Sequence, residues 1–510
     1  MVQETIYLGA ELSLETFMKI VRGHAKVEFL PEYTARVKKS RAVVERFVEE
    51  NRAVYGLTTG FGALVSQRID KSQAELLQKN IVLTHSVSVG EPFEEEVVRA
   101  IILMVLQSLG RGVSGVRMEL LELYRQFLNR GLVPYTPKEG SVGYLCAEGH
   151  IAAAAIGEGK AYVEGNLYDA KTALSMVGLS PIVLSYKEGL ALLNGTTSAT
   201  ALAAIGIYDL QQLSKTADIV AGLSLESLGG LLKAYDDRIL DCRPQKEMYE
   251  TAHNIQKLLA DSQVIESFKD THIQDALSLR CIPQLHGAVK RVLNDAADVI
   301  QTEINSCGDN PIIAGEPGFE EALSNGNPDA SYVGIEMDAA CVAAVNLAKM
   351  SERRNARFLD SNLSDMPWFL VKKPGLNSGL MIPQYTQAGL LNELRGLATA
   401  STIDSVSTSA GQEDYVSMGY NACCKSLTVV KKAEYILAIE LMSAYQSQQF
   451  IDKNLQRGKG SRAVWKLVGS EVPVMEEDMY LYPYLEKLKT LIHQGALIQA
   501  VEEEMGILEN

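Results

Sequence analysis

The chain has 510 residues, 47% of them hydrophobic, enough for a sizeable core without disulfide staples. A net charge of −15 and a pI near 5.1 argue against nucleic acid or an anionic membrane surface as the main partner. Seven scattered cysteines give neither a disulfide framework nor a Cys-x-x-Cys metal site. Residues 1–15 show no basic stretch followed by an apolar one, and no run reaches the ~18 uninterrupted apolar residues of a membrane span. A cytoplasmic protein with reduced thiols is expected.

In chain order, the first part (1–200) is loose and rich in glycine, and the remainder (201–510) reads as long helices. Periodicity is clearest over residues 289–304, where Val289, Val292, Leu293, Ala296, Val299, Ile300 and Ile304 recur at three- and four-residue steps. Residues 337–359 and 426–449 read the same way. Alternating strand patterns are few and short, and no repeat or low-complexity linker divides the chain. The expectation is a mainly α fold, a long-helix bundle behind a glycine-rich N-terminal part, with the softer boundary near residue 200.

Chemistry-bearing residues stand in loops or at helix starts. Tyr55-Gly-Leu-Thr-Thr-Gly-Phe-Gly62 presents a tyrosine from a loop whose glycines allow sharp turns. Leu193-Asn-Gly-Thr-Thr-Ser198 offers Asn194, and Ser409-Ala-Gly-Gln-Glu-Asp414 offers Gln412 and Glu413. Gln274-Asp-Ala-Leu-Ser-Leu-Arg280 ends on Arg280, whose planar guanidinium suits a two-point grip on a carboxylate. A base, a carboxylate clamp, an amide and a second carboxylate are the parts needed to deaminate an amino acid. Taken singly, each has a plainer reading: a turn tyrosine, an Asn-Gly turn, a structural ion pair, a solvated helix face. The seven histidines show no His-x-x-x-His spacing, and no phosphate-binding glycine loop occurs, so neither a metal nor a nucleotide is expected.

Together with Lys138-Glu-Gly-Ser-Val-Gly143, these stretches resemble the histidine and aromatic amino acid ammonia-lyase family, from about Tyr55 to Ser417 and in the family's order. The resemblance implies a helical homotetramer with active sites shared between subunits and a small-molecule substrate, an amino acid. It implies Tyr55 as the base that takes the β-proton, Arg280 as the carboxylate clamp, and Asn194 bonding the carboxylate or the electrophile's carbonyl. His85, in Leu83-Thr-His-Ser86, together with Glu413 marks members acting on histidine, so the resemblance implies an ammonia-lyase that releases ammonia from L-histidine to give urocanate. Leu277 replaces the family's usual tyrosine, Pro328 its usual phenylalanine, and Tyr144 its usual aspartate. Those departures leave open a 2,3-aminomutase, a tyrosine or phenylalanine ammonia-lyase, or a catalytically silent homologue.

The resemblance also implies an electrophile, methylidene-imidazolone (MIO), cyclised from an internal Ala-Ser-Gly. Here Gly143 is followed by Tyr144, and the stretch before Gly157-Glu-Gly159 is short by one tripeptide. Either the cyclised group stands between Gly143 and Tyr144 without being written as standard residues, or the chain has lost it. A deletion would rotate residues 145–156 by about 300°, at about 100° per helical residue. That rotation would turn their apolar face from the core, so the expectation is a cyclised Ala-Ser-Gly at Gly143/Tyr144.

Overall fold

A computed structural model describes residues 4–509 apart from Tyr55, Thr58, Phe61, Val65 and Cys146, so the expected base Tyr55 lies outside the described residues. The chain forms two units. Unit 1 comprises Met1–Gly206, Ala297–Met337 and Ala400–Cys424; unit 2 comprises Ile207–Ala296, Asp338–Thr399 and Lys425–Asn510. Residues 201–510 thus contribute to both.

The mainly α expectation holds. The periodic stretches lie in the helices Ile282–Glu303, Ser331–Leu359 and Gly419–Ser447. Val289, Leu293, Ala296, Ile300 and Ile304 are all buried, the inward stripe that their spacing dictates. Glu188–Ser227 is long and apolar enough to cross a membrane, but 94% of that window is buried within the protein.

Unit 1 carries short sheets. Thr5–Leu8 pairs in parallel with Lys26–Phe29, and Val89–Pro92 pairs antiparallel with Pro137–Glu139. Its core helix, Glu95–Leu109, is buried at every residue from Val97 to Leu109, as a run apolar on all sides must be. Within it Arg99 donates to the carbonyls of Ile20 and Val21, which end the helix Leu14–Val21, and to that of Leu128.

Three further helices of unit 1, Ala74–His85, Ala147–Ala155 and Glu188–Leu193, pack closely on one another. Two glycines permit this. A Cβ on Gly149 would come within 2.6 Å of the His85 carbonyl oxygen, and one on Gly189 within 2.5 Å of that of Gln78. The Gln78 side chain then accepts from Gly189 N at 2.9 Å.

Unit 2 is helical, with a polar seam inside. Asp218 accepts from Lys290, His286 and Asn254, and Arg354 makes a two-point pair with Glu440, which also accepts from Ser224.

Candidate active site

Two cavities in unit 1 share the walls Gly62, Tyr144, Asn194 and Glu413. The larger, about 640 Å³, is mostly apolar and adds His85 together with Leu64, Leu77, Ile81 and Leu190. The smaller, about 410 Å³, adds Pro328, Asp329, Gln412, Asp414 and Tyr415. Six of the expected site residues therefore come together here, from five separate stretches of chain: His85, Tyr144, Asn194, Pro328, Gln412 and Glu413.

His85 ends the helix Ala74–His85, and its Nδ1 lies 2.8 Å from the Ile81 carbonyl oxygen. A carbonyl only accepts, so Nδ1 carries the proton and Nε2 keeps a lone pair. Burial pushes the imidazole below its ordinary range, against the pull of the Ile81 carbonyl and the Glu413 charge. His85 is therefore a neutral acceptor at pH 7.

Glu413 is aimed by its loop. Thr408 N donates to the Glu413 carbonyl at 2.8 Å, and Thr408 Oγ1 to the carboxylate at 3.2 Å. Between them Ser409, Ala410 and Gly411 take φ of 51°, 53° and 84°, three left-handed residues in succession. Gly62 is itself left-handed at φ 52°, and a Cβ there would come within 2.7 Å of Ser409 Oγ and displace that hydroxyl. Tyr144 faces the same charge. Its phenol is pushed up to about 12 by burial first, then by Glu413 and Asp329, and it stays protonated.

Asn194 caps the helix Glu188–Leu193, its Nδ2 donating to the Asn310 carbonyl at 2.8 Å. Asn310 belongs to the stretch 308–312, which Asp309 anchors through a buried pair with Lys187 at 2.6 and 2.8 Å. Lys187 itself stands left-handed at the start of the Asn194 helix. Nothing in the local sequence marks Lys187, a lone lysine with no motif. Asp329, Asp414 and Tyr415 were also missed, although they adjoin Pro328 and Gln412-Glu413.

The residues present do not fit MIO. No Ala-Ser-Gly is encoded in this loop, and Gly143 runs directly into Tyr144. The loop's one serine, Ser141, is buried with its hydroxyl directed at the carbonyls of Tyr144 (3.0 Å) and Leu145 (3.3 Å). The next residue, Val142, is β-branched where ring closure needs a small one, and its carbonyl is held by Met418 N at 2.8 Å. Nor does the following helix have an apolar face that a rotation would turn from the core. Ala147–Ala155 is buried all round except at His150, so it has no single apolar face to lose. At the Gly143/Tyr144 position only Tyr144 reaches the cavities, as a wall of both.

Arg280 and Leu277 belong to unit 2, in the short helix Leu277–Arg280. Arg280 Nε donates to the Asp275 carbonyl at 3.0 Å, and the guanidinium lines a cavity of about 340 Å³ with Gln274, Cys281 and Gln284. Ile273 and Leu277, flanking this segment, are 99% and 61% exposed.

The histidines set an acid limit on stability. Burial is the first cause that holds His24, His85, His150 and His286 below the ordinary imidazole range. The unfolded chain then binds protons that the folded one refuses. Their stabilisation is complete above the unfolded value of about 6.5 and is lost as pH falls below it. His493, raised by Glu434, acts oppositely: it stabilises below about 6.5 and fades as pH rises through its raised value. The denaturation midpoint should fall between about pH 7 and about pH 5, less steeply in His85→Gln. A midpoint that rises on acidification, or an unchanged slope in the variant, contradicts this account.

Known proteins resemble the chain over nearly its whole length. The chain is 40% identical to a histidine ammonia-lyase of Alkaliphilus metalliredigens over 98% of its own length and 99% of that protein's. The crystal structure of histidine ammonia-lyase from Trypanosoma cruzi superposes with a TM-score of 0.92 at 34% identity, covering 99% of this chain and 96% of that one. Tyrosine aminomutase from Streptomyces globisporus gives 0.94 at 31%, with both chains fully covered. The profile of the aromatic amino acid lyases matches residues 12–470. This chain belongs to the aromatic amino acid lyase family, whose histidine ammonia-lyases are carbon–nitrogen lyases.

Proposed function

We propose that the protein eliminates the α-nitrogen group of an amino acid with an imidazole side chain, taking a histidine skeleton to urocanate. The observation that carries this reading is the pairing of His85 and Glu413 on one cavity. Both offer acceptors: the Nε2 lone pair left by the Ile81 bond, and a carboxylate. Two acceptors suit an imidazolium, which has two N–H donors. A cationic ring also draws electrons from the adjacent β-carbon and makes its proton easier to remove.

Tyr55 is the base in this proposal, Asn194 holds the substrate through its Oδ1, and Gln412 and Pro328 border the nitrogen end. Arg280 grips the substrate carboxylate from a neighbouring subunit of a homotetramer. In support, Ile273 and Leu277 stand exposed beside Arg280, and large apolar side chains in water are what interfaces cover. A cytoplasmic setting accords with the six described cysteines, all free. The family's MIO has no part in the proposal, because the encoded residues do not supply it.

Competition between imidazole and phenol substrates carrying the same leaving group tests the reading. A site whose acceptors would be left without the ring's N–H donors should favour the imidazole by about 10⁴-fold in kcat/KM. Equal or better turnover of the phenol compound would overturn it.

A further inference from the structure

A lyase without an electrophile must still expel nitrogen. A primary α-ammonium group is far more acidic at nitrogen than at the β-carbon. A base beside it takes the N–H proton first and leaves a neutral amine, which does not depart. Capturing the amine on an electrophile avoids this, but residues 140–147 encode none. A nitrogen bearing three alkyl groups avoids it as well. It has no N–H to lose, keeps its charge at every pH, and departs as a neutral tertiary amine.

We propose that the substrate of this site is a betaine, the Nα-trimethylated form of an imidazole amino acid, and that the nitrogen leaves as trimethylamine. This rests on the lyase reading above and specifies its leaving group. In the step, the base takes one β-hydrogen as a proton. The C–H electron pair becomes the Cα–Cβ double bond, and the Cα–N bond breaks with its pair on nitrogen. The products are trimethylamine, an α,β-unsaturated acid and a proton on the base, later lost to water. No oxidant or other reactant is needed.

The smaller cavity has the chemistry such a group requires. Asp329, Glu413 and Asp414 line it with Tyr144 and Tyr415, and among the described residues its lining contains no lysine, arginine or histidine. A quaternary ammonium is held by negative charge and aromatic faces and donates no hydrogen bond. Asp329 and Tyr415 are fixed in place, the former accepting from Ser331 N at 2.9 Å and the latter 2.8 Å from Ser331 Oγ. Tyr144 stays a neutral phenol here, presenting a ring to the cation. Because Tyr144 and Glu413 border both cavities, the ring end and the nitrogen end of one substrate can occupy the two at once.

The test uses the full-length protein with histidine, Nα-trimethylhistidine, and the same pair built on tyrosine, measuring ammonia, trimethylamine and unsaturated acid. Trimethylhistidine should exceed histidine by at least about 10³-fold in kcat/KM, the scale on which a missing catalytic group is felt. Intact mass should equal that of the encoded chain, and borohydride should leave turnover unchanged. Tetramethylammonium should compete with substrate where ammonium does not, and Asp414→Asn should weaken that inhibition several-fold. Ammonia released from histidine at a comparable rate overturns the betaine inference and leaves the lyase reading intact. Trimethylamine from the tyrosine compound alone keeps the leaving group and overturns the imidazole reading. No amine from any of the four overturns both.

Discussion

Replacing Tyr55 with phenylalanine is expected to leave the fold intact and lower kcat by about 10²–10⁴-fold, the usual contribution of a positioned acid–base group. The hydroxyl is the one atom removed, from a loop that already turns at Gly56 and Gly62 with φ of 65° and 52°. Other candidates for the base are engaged otherwise: in the proposed pose the Nε2 lone pair of His85 holds the imidazole ring, and Tyr144 is a phenol pushed up to about 12. Steady-state kinetics on the purified variant decide the matter, with KM expected to change little. Activity within about threefold of the parent would remove Tyr55 from the mechanism and force a search among the carboxylates.

Lys187→Met is expected to destabilise the protein by about 3–5 kcal/mol, the cost of leaving a buried carboxylate without its partner. Lys187 and Asp309 have side chains only 1% and 0% exposed. Asp309 also accepts from Asn310 N at 2.8 Å, so the loss reaches the carbonyl that holds Asn194. Urea unfolding measures it. The paired change Lys187→Met with Asp309→Leu should recover much of the loss, because both charges then leave the interior together. A single-variant cost under about 1 kcal/mol would place the pair among solvent-screened bridges and refute this reading.

The helices were legible because burial writes itself into spacing: Val289, Leu293, Ala296, Ile300 and Ile304 are apolar at helical intervals and all turned inward. The loops that meet at the site were legible from their residue types, since an Asn-Gly or a Gln-Glu in a glycine-rich segment stands out. What spacing cannot report is partnership. Lys187 looks like any surface lysine, although its charge is met by Asp309, more than a hundred positions later. Nor does spacing tell one apolar face from burial on all sides. Residues 147–155, mostly alanine, read as amphipathic and are enclosed instead. Periodicity also describes each helix's own surroundings and not the stretches it packs with, so the interleaving of chain segments in the two units left no mark on local composition.

The three left-handed residues ahead of Gln412 bear on how such a site can change over evolutionary time. Ser409 and Ala410 hold a conformation that costs a residue with a Cβ on the order of 1 kcal/mol or more, and they hold it because Thr408 clasps Glu413 from both main chain and side chain. A backbone wedged in this way has few neighbouring shapes, so lengthening or reshaping the turn would release the clasp and the carboxylate together. Exchange of the side chain at position 413 needs no such rearrangement. New substrate preferences in this lineage would therefore arise by single substitutions at a stationary scaffold, each able to alter which ring is accepted without passing through an unfolded loop.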